Sequence, residues 1–263
     1  MLLKNKVTVI YGAGGAIGGA VGREFAREGA TLFLTGRNKA KVERAAEEIR
    51  AAGGRAEAAQ VDATDEQAID QHLSAVTAKA GRIDISFNAV GIPNTTLQGV
   101  PLVDLDVEQF ALPIATYTRS YFLTSRLAAR RMMPKGSGVI MTVTAVPSRA
   151  GIPLLGGFAP SQAAVEALTR SLSAEFAPHG IRVVGLRPDG MPETGTIREV
   201  FGIHAKALGL SWEQFREIIA TKNHRRRLLT LAELTNVAVL MASDLASAMT
   251  GTTVNLSMGM LDD

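Results

Sequence analysis

The chain has 263 residues, with 28 lysines and arginines against 25 aspartates and glutamates, and it has no cysteine. That composition excludes a disulfide scaffold, a cysteine-ligated metal site and thiol catalysis, and a formal charge of +3 is too slight to mark a nucleic-acid binder. The one dense basic run, Arg225-Arg226-Arg227, reads as a solvated helix end. No stretch approaches the ~18 apolar residues of a membrane span, and the N-terminus lacks the features of a signal peptide, so a cytoplasmic protein is expected.

Short apolar strands alternate with helices from the start. Residues 7–11 form a β-branched run closed by glycines. Ile17, Val21 and Phe25 then recur at a spacing of four, which predicts a helix ending near Gly29. A strand is expected over 31–35, a charged helix over 39–52 stopped by Gly53-Gly54, a strand over 56–61, a helix over 66–80 and a strand over 83–88. A long helix over 113–133 follows, with Pro113 in its first turn, then a strand over 139–143, a helix over 161–177 and a strand over 181–186. The segment 191–227 breaks the rhythm as a mostly helical excursion. A last helix over 231–243 precedes a strand over 252–256. Strands joined by helical crossovers predict one α/β domain over 1–263, a Rossmann fold with a doubly wound parallel sheet of about seven strands flanked by helices. Ligands of such sheets lie beyond the carboxyl ends of the strands, so 191–227 is placed to serve as a substrate lid.

Tyr11-Gly12-Ala13-Gly14-Gly15-Ala16-Ile17-Gly18 stands between the first strand and the first helix. Glycines there let the backbone approach a pyrophosphate, and the helix N-terminus offers free N–H groups and a positive dipole end. The position points to a dinucleotide.

With that turn, motifs along almost the whole chain resemble those of the short-chain dehydrogenase/reductase family. Gly12 and Gly18 match the family's TGxxxGxG, with Ala16 replacing the middle glycine. Asp62 resembles the family aspartate near the adenine, and Asn88-Ala89-Val90-Gly91 stands where the family has NNAG. Arg187-Pro188-Asp189-Gly190 resembles the family's PG…T segment with Asp189 inserted. Gly190 and Thr194 stay in phase, and that threonine usually meets the nicotinamide carboxamide. The ending ASDLASAMTGTTVNLSMG resembles the family's own. The resemblance implies cofactor contacts from Gly12, Gly14, Gly15, Ile17, Gly18, Asp62, Asn88, Gly91, Gln162, Pro188, Gly190 and Thr194. It also implies a homodimer or homotetramer. NAD-specific relatives carry an acid at the end of the second strand, but this chain has Thr35-Gly36-Arg37. Arg37 suits a 2′-phosphate, so NADP(H) is favoured over NAD(H).

The family's Asn-Ser-Tyr-Lys tetrad is replaced throughout. Phe158 takes the tyrosine position, Gln162 the lysine, Ala145 the serine and Tyr117 the asparagine. Phenylalanine cannot protonate an alkoxide, and glutamine carries no charge to depress a neighbour's pKa. Ordinary ketone chemistry by the family mechanism is therefore not expected. Tyr117 is the candidate proton donor, or else it fills space the tetrad has left. Thr144 and Ser148 are weaker candidates for the missing hydroxyl, and Ser161 reads as structural. His204, in the expected lid, could donate a proton near neutral pH, or else it is a solvated helix histidine. Trp212, Phe201 and Phe215 form either a pocket wall or the lid's own core. No metal site is expected. The sequence reads as an NADP(H)-binding oxidoreductase acting on a small apolar substrate by a non-standard mechanism. The alternatives are an inactive NADP(H)-binding sensor or partner subunit, and a non-redox enzyme on the same scaffold.

Overall fold

The computed structural model describes residues 1–262. Seven strands form one parallel sheet among these residues: β1 (Val7–Tyr11), β2 (Thr31–Gly36), β3 (Arg55–Gln60), β4 (Ile85–Asn88), β5 (Gly138–Val143), β6 (Ile181–Pro188) and β7 (Thr252–Leu256). Their order is β3-β2-β1-β4-β5-β6-β7, so the winding reverses between β1 and β4. Helices α1 (Ala16–Arg27), α2 (Lys39–Ala51), α3 (Glu66–Ala80), α4 (Val107–Met132), α5 (Phe158–Phe176) and α8 (Leu231–Ala242) cover the faces. The excursion after β6 holds α6 (Gly195–Ala207) and α7 (Trp212–Lys222). Strands buried on both sides read as continuous apolar runs. β1 is buried throughout, and its neighbours feed two separate cores, one around Phe25, Leu34 and Met141 and one around Val9, Leu73 and Ile140.

Two helix starts lie earlier than the spacing predicts. Asp106 caps α4, its Oδ1 accepting from the N–H groups of Glu108 and Gln109 at 2.9 and 3.2 Å. The helix therefore begins at Val107 and runs through Pro113, which is an interior residue rather than a first-turn one. An interior proline costs a helix ~3 kcal/mol in isolation. Here the helix continues through it, with a buried face that includes Tyr117, Tyr121 and Leu127. Helix α5 begins at Phe158 instead of 161, because Pro160 sits in the first turn, where no N–H is needed. Tyr11, next to the glycine turn in sequence, points its ring into the core and is fully buried. No helix among the described residues is long and apolar enough to cross a membrane.

The switch point is crowded. Gly12 has a φ of +75°, and a Cβ there would lie 2.5 Å from the Ala89 carbonyl oxygen at the end of β4. Gly81 shares the left-handed backbone at +73° but faces nothing within 4 Å. Gly81→Ala is therefore expected to cost about 1 kcal/mol from backbone strain alone. Gly12→Ala adds a clash with fixed backbone and is expected to cost about 3 kcal/mol or more. Urea unfolding of the two variants beside the parent protein measures the difference.

Candidate functional site

A cavity of about 690 Å³ opens beyond the carboxyl ends of β1, β2, β4, β5 and β6. One wall is the glycine turn, with Gly12, Gly14, Gly15 and Ile17 at its surface. Helix α1 begins there with no side-chain cap and no acid in its first turn, so its free N–H groups and positive dipole end serve the cavity. Arg37 and Lys41 stand at the far end of this wall with Asp62. Burial opposes ionisation of Asp62, but the N–H and hydroxyl of Thr64, at 2.9 and 2.7 Å, outweigh it together with Arg37 and hold the pKa below the usual carboxylate range.

Tyr117, Ala145, Phe158 and Gln162 converge on the same cavity. Tyr117 is buried, its ring stacked on Tyr121 at 6.4 Å and meeting Phe158 edge-on at 6.0 Å. Burial pushes its phenol up to about 12, while a hydrogen bond from the Ile92 backbone pulls the other way. The Tyr121 hydroxyl is spent, donating to the Val143 carbonyl at 2.7 Å. Gln162 donates to Ser161 at 3.1 Å, and Ser161 donates in turn to the Phe158 carbonyl at 2.6 Å. Thr144 and Ser148 turn their hydroxyls to Glu166, at 3.2 and 2.5 Å. That carboxylate also pairs with Arg187 at 2.7 Å. Neither hydroxyl stands in for the missing serine.

The family model described as enoyl-(acyl carrier protein) reductase matches residues 12–261. The chain belongs to the short-chain dehydrogenase/reductase family. It is 31% identical over 259 residues to the uncharacterized oxidoreductase YxbG of Bacillus subtilis (strain 168), covering 98% of this chain and 92% of that one. Its fold is similar to that of an NAD+-bound xylitol dehydrogenase (TM-score 0.91, 25% identity, 97% and 98% of the two chains). It is also similar to a gluconate 5-dehydrogenase from Burkholderia cenocepacia J2315 in complex with NADP and tartrate (TM-score 0.86, 25% identity, 98% and 95%).

Within this family fold, most of the residues the motifs single out reach the cavity. Gly91, Pro188, Gly190 and Thr194 are in its wall beside the turn glycines, Arg37, Asp62, Tyr117 and Gln162. Gly18 and Asn88 are not. A Cβ on Gly18 would lie 2.5 Å from the Gly12 carbonyl oxygen, so this glycine lets α1 close onto its own turn. Asn88 is buried and occupied. Its Oδ1 accepts from the Val90 N–H at 2.9 Å, and its Nδ2 donates to Ser120 and Thr124 at 3.0 and 2.9 Å, tying β4 to α4. The Thr194 hydroxyl donates to the Met191 carbonyl and accepts from Ile197, capping α6.

Three features were missed. Lys41 lies one turn beyond Arg37, a spacing that would have flagged it. His204 is not solvated but buried at 4% exposure, on the α6 face that carries Ile197 and Phe201. Asp189, read only as an insertion, has its carboxyl in the cavity wall, accepting from the Gly190 N–H at 2.7 Å and from Asn223 at 2.8 Å. The lid aromatics divide. Phe201 and Phe215 face the cavity, while Trp212 packs behind them in the lid's own core. No group of His, Asp and Glu among the described residues could hold a metal ion.

Burial raises the Asp189 pKa more than its two hydrogen bonds lower it. A carboxyl raised on folding takes up protons in the native state, so its contribution to stability falls as pH rises through and above the ordinary value of 3.8. Asp189→Asn is therefore expected to gain stability relative to the parent protein as pH is raised from 3 toward 7. Paired thermal melts across that range read the trend, and parallel curves would show that Asp189 is not perturbed.

Proposed function

We propose that this chain is an NADP(H)-dependent oxidoreductase that favours reduction of a small apolar substrate, with the Tyr117 phenol as its proton donor. The glycine turn with the bare α1 N-terminus suits a pyrophosphate, and Arg37 with Lys41 suits a 2′-phosphate. When bound, the cofactor supplies a hydride. The relatives include proteins bound to NAD+ and to NADP, so the preference rests on these two cations and on the missing acid after β2.

Tyr117 carries the chemical part of the reading. Of the two phenols in the cavity wall it is the one whose hydroxyl is not spent on Val143, and its ring meets the inert Phe158 ring edge-on. The Ile92 backbone draws the phenol pKa down without overcoming burial, so the group stays protonated. On this reading the phenol offers that proton to an oxygen in the cavity. At about 12, that proton is present at any physiological pH and can pass to a nascent alkoxide, whereas a phenolate base for the reverse reaction is scarce. Reduction rates are thus expected to stay flat between pH 6 and 9, and oxidation rates to rise about tenfold per pH unit, following the ionised fraction. Tyr117→Phe is expected to slow reduction by ~10²–10⁴-fold, and an unchanged rate would remove Tyr117 from the reaction.

A second reading, binding without turnover, is favoured by the aromatic packing of Tyr117 on Tyr121 and Phe158 and by the neutral Gln162. Both readings predict that Arg37→Ala weakens NADPH about tenfold and leaves NADH unchanged in a nicotinamide-fluorescence titration. Deuteride transfer from labelled NADPH to any of a panel of ketones, enones and imines selects the first. As part of the same proposal we include a homodimer or tetramer. Val103 and Val107 are 92% and 73% exposed, and Leu112 and Phe122 lie exposed further along α4. Light scattering on the purified chain tests it, and Val107→Lys with Phe122→Lys is expected to lower the measured mass.

A further inference from the structure

Asn94, Gln98 and His204 form a polar array in an otherwise apolar end of the cavity. All three are 4% exposed and stand in its wall. Gln98 Nε2 donates to Asn94 Oδ1 at 2.8 Å, which turns the Gln98 carbonyl oxygen toward His204, 3.1 Å from its Nε2. An amide oxygen only accepts, so the His204 Nε2 carries the hydrogen. Burial lowers the pKa of the ring and keeps it neutral. Nδ1 is therefore a lone-pair acceptor. It makes no hydrogen bond among the described residues, and it is not among the polar atoms sealed from solvent.

The array is held rigidly from both sides. The His204 ring stacks on Phe215 at 5.8 Å and 18°. The loop after β4 is tied down by bonds from the Leu97 and Gln98 N–H groups to the Asn94 carbonyl and from the Gly99 N–H to the Leu154 carbonyl at 2.8 Å. Gly99 also lies against Ile203 on α6, where a Cβ would approach to 2.5 Å. The surrounding wall is apolar, with Leu155, Ile197, Phe201 and Ile219 among its residues. The wall's cations, Arg37 and Lys41, both belong to the turn end. The charged residues lining the rest of the cavity beyond Asp62 are Asp189 and Glu199, both acids.

We propose that Asn94, Gln98 and His204 are a specificity site for a hydroxyl group on an uncharged, largely apolar molecule, with His204 Nδ1 accepting that hydroxyl's hydrogen bond. An unpaired acceptor in an apolar wall rewards a ligand that brings a donor, because leaving the acceptor desolvated and unmade is costly. With no cation nearby and two acids in the wall, an anionic ligand meets no compensation for its lost hydration. The inference rests on the functional reading above only in taking this end of the cavity as the substrate's end.

The test is direct binding, with no turnover required. 2-Tetralol, tetralin and tetralin-2-carboxylate share one apolar frame and differ in the group they present. They are titrated calorimetrically into the full chain with and without NADPH. The alcohol is expected to bind about tenfold more tightly than tetralin, and the carboxylate more weakly than both. His204→Phe is expected to bring the alcohol down to tetralin's affinity while tetralin's own is unchanged. His204→Gln, which keeps an acceptor, is expected to restore part of the difference. Gln98→Met is a milder variant that frees the ring, and it is expected to weaken the alcohol selectively even if His204→Phe does not fold. The inference is overturned by a carboxylate that binds as tightly as the alcohol, by equal losses for alcohol and tetralin in these variants, or by no binding of the alcohol up to its solubility. Failure of NADPH to bind, with the alcohol preference intact, overturns the functional reading and leaves this one standing.

Discussion

Three stretches of backbone meet where the sheet reverses its winding: the turn leaving β1, the first turn of α1 and the chain leaving β4. The contact is so close that neither Gly12 nor Gly18 has room for a Cβ. That approach bends α1 back over the sheet with its N-terminus at the mouth of the cleft. It also sets where the loop after β4 departs, and hence where Asn94 and Gln98 stand. Neither glycine needs to touch a ligand for the site to depend on it. Gly18 shows the difference, since it shapes the turn from a position the cavity does not reach.

The four tetrad substitutions act together. Ala145 and Phe158 each lack the hydroxyl of the family residue, Tyr117 puts a ring at the asparagine position, and Tyr121 stacks on it with its own hydroxyl fixed to Val143. Phe158 and Gln162 offer Tyr117 no cation to lower its pKa, so burial outweighs the pull of the Ile92 backbone and raises it. What results is an aromatic floor of Tyr117, Tyr121 and Phe158 beside the neutral Gln162. Glu166, which is not in the cavity wall, collects the hydroxyls of Thr144 and Ser148 with the Arg187 guanidinium.

The sheet, its strands and the helical excursion after β6 were legible because β-branched runs and helical spacing speak plainly when both faces of a strand are buried. Boundaries failed where a proline misled. Pro113 looked like a helix start, yet the cap lay at Asp106, and packing absorbed the cost of continuing through it. The site was half visible. Motifs in regular turns, such as those of Gly12, Arg37 and Gly190, led to the cavity. His204 shared the face of Ile197 and Phe201, one and two turns away, and that spacing would have shown it was buried. Asn94 and Gln98 lie in an irregular loop whose course depends on contacts with Leu154 and Ile203, far away in sequence. No local pattern marks them. Asp189 showed only as one extra residue, and its place in the wall depends on Asn223 at the end of α7.

That Asp189–Asn223 bond has a mechanical side. The end of α7 is fastened to the residue between Pro188 and Gly190, so the helical excursion and the segment leaving β6 are joined by a buried hydrogen bond as well as by the chain. Were the excursion to take two positions, a ligand gripping this segment better in one would favour it, and that position would strengthen the grip by the same factor. A load on either the helical excursion or the segment leaving β6 is thereby felt by the other through a single buried carboxyl group.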